Sequence, residues 1–109
     1  EKKFRIDQIQ LATRNAIEIP FKIMEVCFDS LSLIHEMAKK GNPNSITDVG
    51  VAMFCIKAAI NGAFLNVKIN CNDLKDKDFI KDTLSKANEI LKITDLKQKE
   101  ILKIVDEKL

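Results

Sequence analysis

Turn-forming and aromatic residues are what this sequence has least of. Three glycines and two prolines in 109 residues leave little material for the tight turns of a sandwich or barrel, so long helices are the natural alternative. Trp and Tyr are absent, and Arg stands only at positions 5 and 14, which argues against a phosphate clamp. Charge of one sign is missing too. The 18 basic and 16 acidic residues interleave to a net +2; charge and aromatic placement therefore give no case for nucleic acid, and charge gives none for a membrane. Cys27, Cys55 and Cys71 are odd in number and no two are spaced as a metal pair. They read as reduced core thiols of a cytoplasmic protein. No uninterrupted apolar run approaches the ~18 residues of a membrane span, and no signal-peptide pattern opens the chain. The opening EKKFRIDQIQLA has neither Met nor a clear helix-start signal, and reads as though cut from a longer polypeptide.

What is present is a helical, core-forming composition. Hydrophobic residues are 46% of the chain, enough for one domain's core. Helical spacing of Ile6, Ile9, Ala16 and Ile19 predicts a first helix over about 3–18, with a break or kink near Ile19–Pro20. A second is expected over about 20–40. Its polar residues Lys22, Glu25, Asp29, Ser32, Glu36 and Lys39 make one narrow stripe on an otherwise apolar rod, so a partner surface is expected to cover it. His35, the single histidine, has no Ser, Cys or Asp placed to work with it and reads as structural.

Gly41 is positioned to end that helix in the left-handed conformation, and Asn42–Pro43 makes a turn. Ser45 or Asn44 is expected to cap a third helix over about 45–70, with Asp48 completing a box-like arrangement. On it Ile46, Val49, Met53, Ile56, Ile60, Ala63 and Val67 alternate steps of three and four, a core stripe. A second series keeps the same rhythm: Asp48, Ala52, Cys55, Ala59, Gly62, Asn66, extended by Asn70. A carboxylate stands at one end, amides at the other, and small residues between. Close helix packing explains this face without any function. The alternative is room for a flat ligand held by polar groups at the rim. Asp48 and Asn66 lie 18 residues apart, about 27 Å along a helix. Either this helix lines two sites, or a symmetric neighbour brings its own Asn66 near Asp48. Asp73 or Asp76 caps a last helix over about 77–107, with a possible restart at Thr94–Asp95; its Lys and Glu residues describe a solvated face. The fold expected is all-α, about four helices in an antiparallel bundle, either a single domain or half of one.

The segment Gly41-Asn42-Pro43-Asn44-Ser45 with Asp48, the Ala52/Ala58/Ala59/Gly62 series, Asn66-Val67, Ile69-Asn70, Leu74-Lys75-Asp76 and, upstream, Ala16 with Pro20 resemble the cyclodeaminase domain of formiminotransferase-cyclodeaminase and the related methenyltetrahydrofolate cyclohydrolases. The likeness runs from about Arg5 to Ala87. That family's domain is about twice as long and carries a Gly-Gly-Gly-Ser-type segment in its N-terminal half, for which nothing here corresponds; the chain looks like a C-terminal half. The resemblance implies an all-helical homodimer or higher homo-oligomer of folate one-carbon metabolism. It implies a tetrahydrofolate derivative as substrate and no metal. Asp48 is the implied catalytic group, with Asn44, Asn66 and Asn70 orienting the substrate. The competing expectation is a helical interaction or dimerisation module without catalysis.

Overall fold

The computed structural model describes all 109 residues and contains helices, turns and no strand. Helix α1 spans Lys2–Asp29, α2 Leu31–Lys40, α3 Ile46–Cys71 and α4 Lys77–Lys108, with a single 3-10 turn at Pro43–Ser45. Only Ser30, itself in helical conformation, separates α1 from α2, so the two run on as one rod. The chain runs up this rod, down α3 and up α4, an elongated bundle of 63 × 19 × 16 Å.

The break expected at Ile19–Pro20 does not occur: α1 passes through Pro20 without interruption. Proline has no N–H for the carbonyl four residues back, which strands Ala16. That carbonyl takes its hydrogen bond from elsewhere, since Asn70 on α3 donates through Nδ2 to it at 3.2 Å. A tertiary amide thus replaces the missing backbone donor. The real interruption falls at Ser30, whose hydroxyl donates to the Cys27 carbonyl at 2.6 Å.

Two further local expectations fail for identifiable reasons. Gly41 has φ −71° and ψ 172°, ordinary extended backbone. Glycine is needed there because a Cβ would collide with the Met37 carbonyl oxygen. Ser45 makes no side-chain capping bond; Asn42 does the capping one turn earlier, its Oδ1 accepting from the Asn44 backbone N–H at 3.0 Å. Asp76 does cap α4, accepting from the Phe79 N–H at 3.1 Å. α4 then continues past Thr94–Asp95 with no restart.

The core stripe of α3 is buried as its spacing predicts, with Ile56 half-buried. It divides between two clusters. Ile60, Ala63 and Val67 join Ile17, Met24, Leu74 and Ala87; Ile46, Val49 and Met53 join Leu31, Ala38, Ile101 and Val105. Side chains clamp both ends of the bundle. At one, Gln10 donates to the Asp73 carbonyl at 3.1 Å and accepts from the Lys75 N–H at 2.8 Å, while Arg14 lies over the Phe79 ring. At the other, Lys108 Nζ donates to the carbonyls of Ala38 and Lys39, closing the C-terminus of α2 where a cation suits the macrodipole. By length and overall composition α3 does qualify as able to cross a membrane, which the lack of an uninterrupted apolar run concealed.

Candidate functional site

Asp48 sits in the first turn of α3, one step beyond the corner that Asn42 and Pro43 build. The corner folds this helix start back against α2, and the angle between them holds a cleft of about 280 Å³. Its floor and wall are Ile34, Met37, Val49 and Ala52; its polar lining is Asn42, Ser45 and Asp48. Ser45 is free to face a guest because its hydroxyl caps nothing. Asp48 is in no ion pair with any lysine or arginine of the chain. An apolar slot with a carboxylate, a hydroxyl and an amide at one edge is the usual composition of a small-molecule site.

The other candidates fall elsewhere. Asn44 is exposed on the 3-10 turn beside the cleft without lining it. Asn66 is exposed at the far end of α3, in a shallow depression with Leu65, Lys68, Ile69 and Asn72. Asn70 is occupied structurally, donating to Ala16 and, at 2.9 Å, to the Asn66 carbonyl. Within one copy the helix therefore keeps Asp48 and Asn66 about 27 Å apart. The residues that sequence reading left out of the site are Asn42, Ser45, Ile34 and Met37. The first two stand in the quoted turn; the last two come from α2 and are signalled only by the apolar face of that helix.

Larger depressions run between α1 and α4, one of about 570 Å³. They are walled by Glu18, Lys22, Glu25, Asp82 and Lys86, charges of both signs at helical intervals, which is how a solvated groove is made. His35 packs between α2 and α4, its Nδ1 3.3 Å from Lys97 Nζ and 3.8 Å from Glu100. It touches nothing in the cleft. Nowhere do three His, Cys, Asp or Glu side chains converge as a metal site would require. Of the three thiols, Cys71 is buried, Cys27 half-buried and Cys55 exposed. The reading of all three as core residues therefore fails at Cys55, which belongs to the small-residue face.

The family model described as formiminotransferase-cyclodeaminase matches residues 1–89, ending within α4. A methenyltetrahydrofolate cyclohydrolase of Methylorubrum extorquens is 35% identical over 91 residues, covering 84% of this chain and 44% of its own length. A formimidoyltransferase-cyclodeaminase of Dictyostelium discoideum is 38% identical over 84 residues, 77% of this chain and 16% of its own. The protein of that name in Rattus norvegicus is 28% identical over 92 residues, 84% and 17% respectively. The chain thus spans less than half the length of these curated relatives.

Proposed function

The chain belongs to the formiminotransferase-cyclodeaminase family, and from that premise we propose that it forms part of a tetrahydrofolate-converting site with Asp48 as its proton-transfer group. The reaction we favour closes 5-formiminotetrahydrofolate to 5,10-methenyltetrahydrofolate. The N10 lone pair attacks the protonated formimino carbon, forming the C–N10 bond and a tetrahedral aminal. The proton from N10 is then carried to the exocyclic amine, the C–N bond breaks, and ammonia leaves the methenyl cation. One carboxylate that accepts and returns a proton serves both halves of this exchange, and its negative charge faces the cation that forms.

The observation that carries this reading is the cleft at the Gly41–Asp48 corner, where Asp48, Ser45 and Asn42 edge an apolar slot. Its about 280 Å³ suits a flat heterobicycle. A benzoyl-glutamate tail would have to lie outside, with Asn44 at the mouth and the small-residue face of α3 beyond. The cyclohydrolase name of the relative matched over 44% of its length favours a second reaction at the same carbon. There water attacks the methenyl cation and Asp48 takes its proton; returning that proton to N5 lets the C–N5 bond of the carbinolamine break, and loss of the hydroxyl proton to solvent leaves 10-formyltetrahydrofolate. Three unpaired thiols suit a reducing compartment, and we place the protein in the cytoplasm.

The test uses the full gene product. Methenyl absorbance should appear on adding 5-formiminotetrahydrofolate, and Asp48→Asn should lower kcat by roughly 10²-fold or more with a smaller change in KM. Unchanged turnover in Asp48→Asn removes Asp48 from the chemistry. Failure of the wild type to make or consume the methenyl form, with folate bound no better than by an unrelated helical protein, leaves the non-catalytic module.

A further inference from the structure

The cleft beside Asp48 leans on a short helix whose end is completed by a residue far along the chain. An α-helix leaves its last four carbonyls without donors of its own. At the end of α2 the Gly41 N–H takes the Met37 carbonyl at 2.9 Å. Lys108 Nζ takes the next two, Ala38 and Lys39, each at 2.6 Å. Lys40, much nearer in sequence, turns back instead to Glu36 at 3.2 Å. A lysine is a usual partner for a helix C-terminus, but this one comes from the last turn of α4, 70 and 69 positions away. It lies beyond residue 89, where the match to the family model stops, so family membership assigns it no role.

We propose that Lys108 is a positioning residue of the cleft, holding the end of α2 so that Met37, Asn42 and Ser45 stay where a substrate meets them. What its two bonds decide is the direction in which the chain leaves α2. In the common glycine ending, Gly41 would turn left-handed, its N–H would pass to the Ala38 carbonyl, and the Asn42 N–H would take Met37. Gly41 is instead extended, at φ −71° and ψ 172°, and its N–H stays on Met37. Lys108 removes the reason to change, because the Ala38 carbonyl already has a donor. The extended exit carries Asn42 and Ser45 to the polar edge of the cleft, while Met37 and Ile34 remain in its wall. The same half of α4 backs that wall from behind. Its Ile101 and Val105 share one buried cluster with Leu31 and Ala38 of α2 and Val49 of α3. Asp48 does not depend on this clamp, since α3 carries the carboxylate in its own first turn. Losing the Lys108 bonds therefore loosens the binding wall and leaves the proton-transfer group in place.

Lys108→Met keeps the aliphatic stem and donates nothing, whereas Lys108→Arg can donate to both carbonyls again. In the full gene product Lys108→Met should raise KM about tenfold with kcat within about twofold, the reverse of the split expected for Asp48→Asn, and Lys108→Arg should restore KM. This kinetic arm rests on the folate reading of the cleft. Hydrogen exchange read by mass spectrometry does not. The N–H groups of Gly41, Asn44 and Ser45 close the corner, and in Lys108→Met the peptide holding them should exchange about tenfold faster, with the far end of the bundle around Asn70 unchanged. A wild type without turnover, in which the variant still shows that local acceleration, removes the folate reading and upholds the positioning role. Exchange unchanged at the corner, or faster by the same factor at both ends, overturns the proposal. So does an active enzyme whose KM is indifferent to Lys108→Met, or one whose raised KM is not restored by Lys108→Arg.

Discussion

Removing the Asn70 side chain should cost stability only while residue 20 is proline. Pro20 leaves the Ala16 carbonyl without its helical donor, and Asn70 Nδ2 supplies one at 3.2 Å. Asn70→Ala deletes that bond and strands the acceptor again. A stranded buried acceptor costs about 1–3 kcal/mol; Ala16 and Asn70 are both half-buried, so the lower end, about 1 kcal/mol, applies. In a Pro20→Ala background the new residue-20 N–H reaches the Ala16 carbonyl within the helix. There Asn70→Ala should cost only a few tenths of a kcal/mol, from its local bond to Asn66 and lost contacts. Pro20→Ala by itself mixes a recovered backbone bond with lost packing of a buried ring, and the double-mutant cycle cancels that mixture. Urea denaturation followed by far-UV circular dichroism, at one protein concentration throughout, measures all four corners. The expected coupling is about 1 kcal/mol. Additivity within about 0.3 kcal/mol would refute the explanation of why α1 survives its proline.

Two other outcomes are expected. Burial pushes the Cys71 thiol above its usual value. The neutral form is therefore favoured in the folded chain, and the associated stability is fully present below the unfolded thiol's pKa and lost as pH rises through the folded one. Wild type should lose stability between neutral pH and about pH 10 more steeply than Cys71→Ala, in parallel denaturation series; equal slopes would contradict this. Thr94 is 1% exposed and its hydroxyl has no hydrogen-bond partner. Thr94→Val keeps the shape and removes the unpaired group, so the midpoint should rise by an amount equivalent to about 1 kcal/mol. A drop of that size would mean the hydroxyl is satisfied after all.

The parts of the fold that could be read in advance are those a helix's own period dictates. The stripe from Ile46 to Val67 alternates threes and fours, and a rod that alternates so has one inward face whatever surrounds it. The cap of α4 is legible as Asp73 or Asp76, and the structure decides for Asp76, whose bond spans three residues. What failed depended on partners far along the chain. Proline rules are local, and the residue that lets α1 ignore them is 54 positions away. Gly41 reads from sequence as a left-handed helix stop, whereas its reason is a collision with the Met37 carbonyl oxygen, and the capping that sequence puts at Ser45 or Asn44 is made by Asn42. The candidate site divides in the same way. Its corner, Asn42 to Asp48, is contiguous and stood out as a turn followed by an acid. The wall from Ile34 and Met37 exists only once α2 folds back over α3. Cys55 reads as a core thiol from its apolar sequence neighbours, yet it is exposed, because those neighbours lie mostly around the helix and not above it.

Asn70 and Asn66 illustrate why side-chain chemistry alone does not identify a ligand-binding residue. Both are amides near the end of one helix, one turn apart, and the same reasoning nominated both. Asn70 has an acceptor waiting for it in the Ala16 carbonyl, and binding a substrate there would first have to break a bond that holds α1 to α3. Asn66 lends only its backbone carbonyl within the chain, and no side-chain hydrogen bond engages its amide. Of the two it is the one free to act on something outside its own copy. Distance then limits what that something is. No single folate-sized molecule bridges from Asn66 to the Asp48 of the same helix. A role for Asn66 in chemistry therefore needs either a second site at its own end of α3 or a group from outside this copy, whereas Asp48 keeps its cleft in either case.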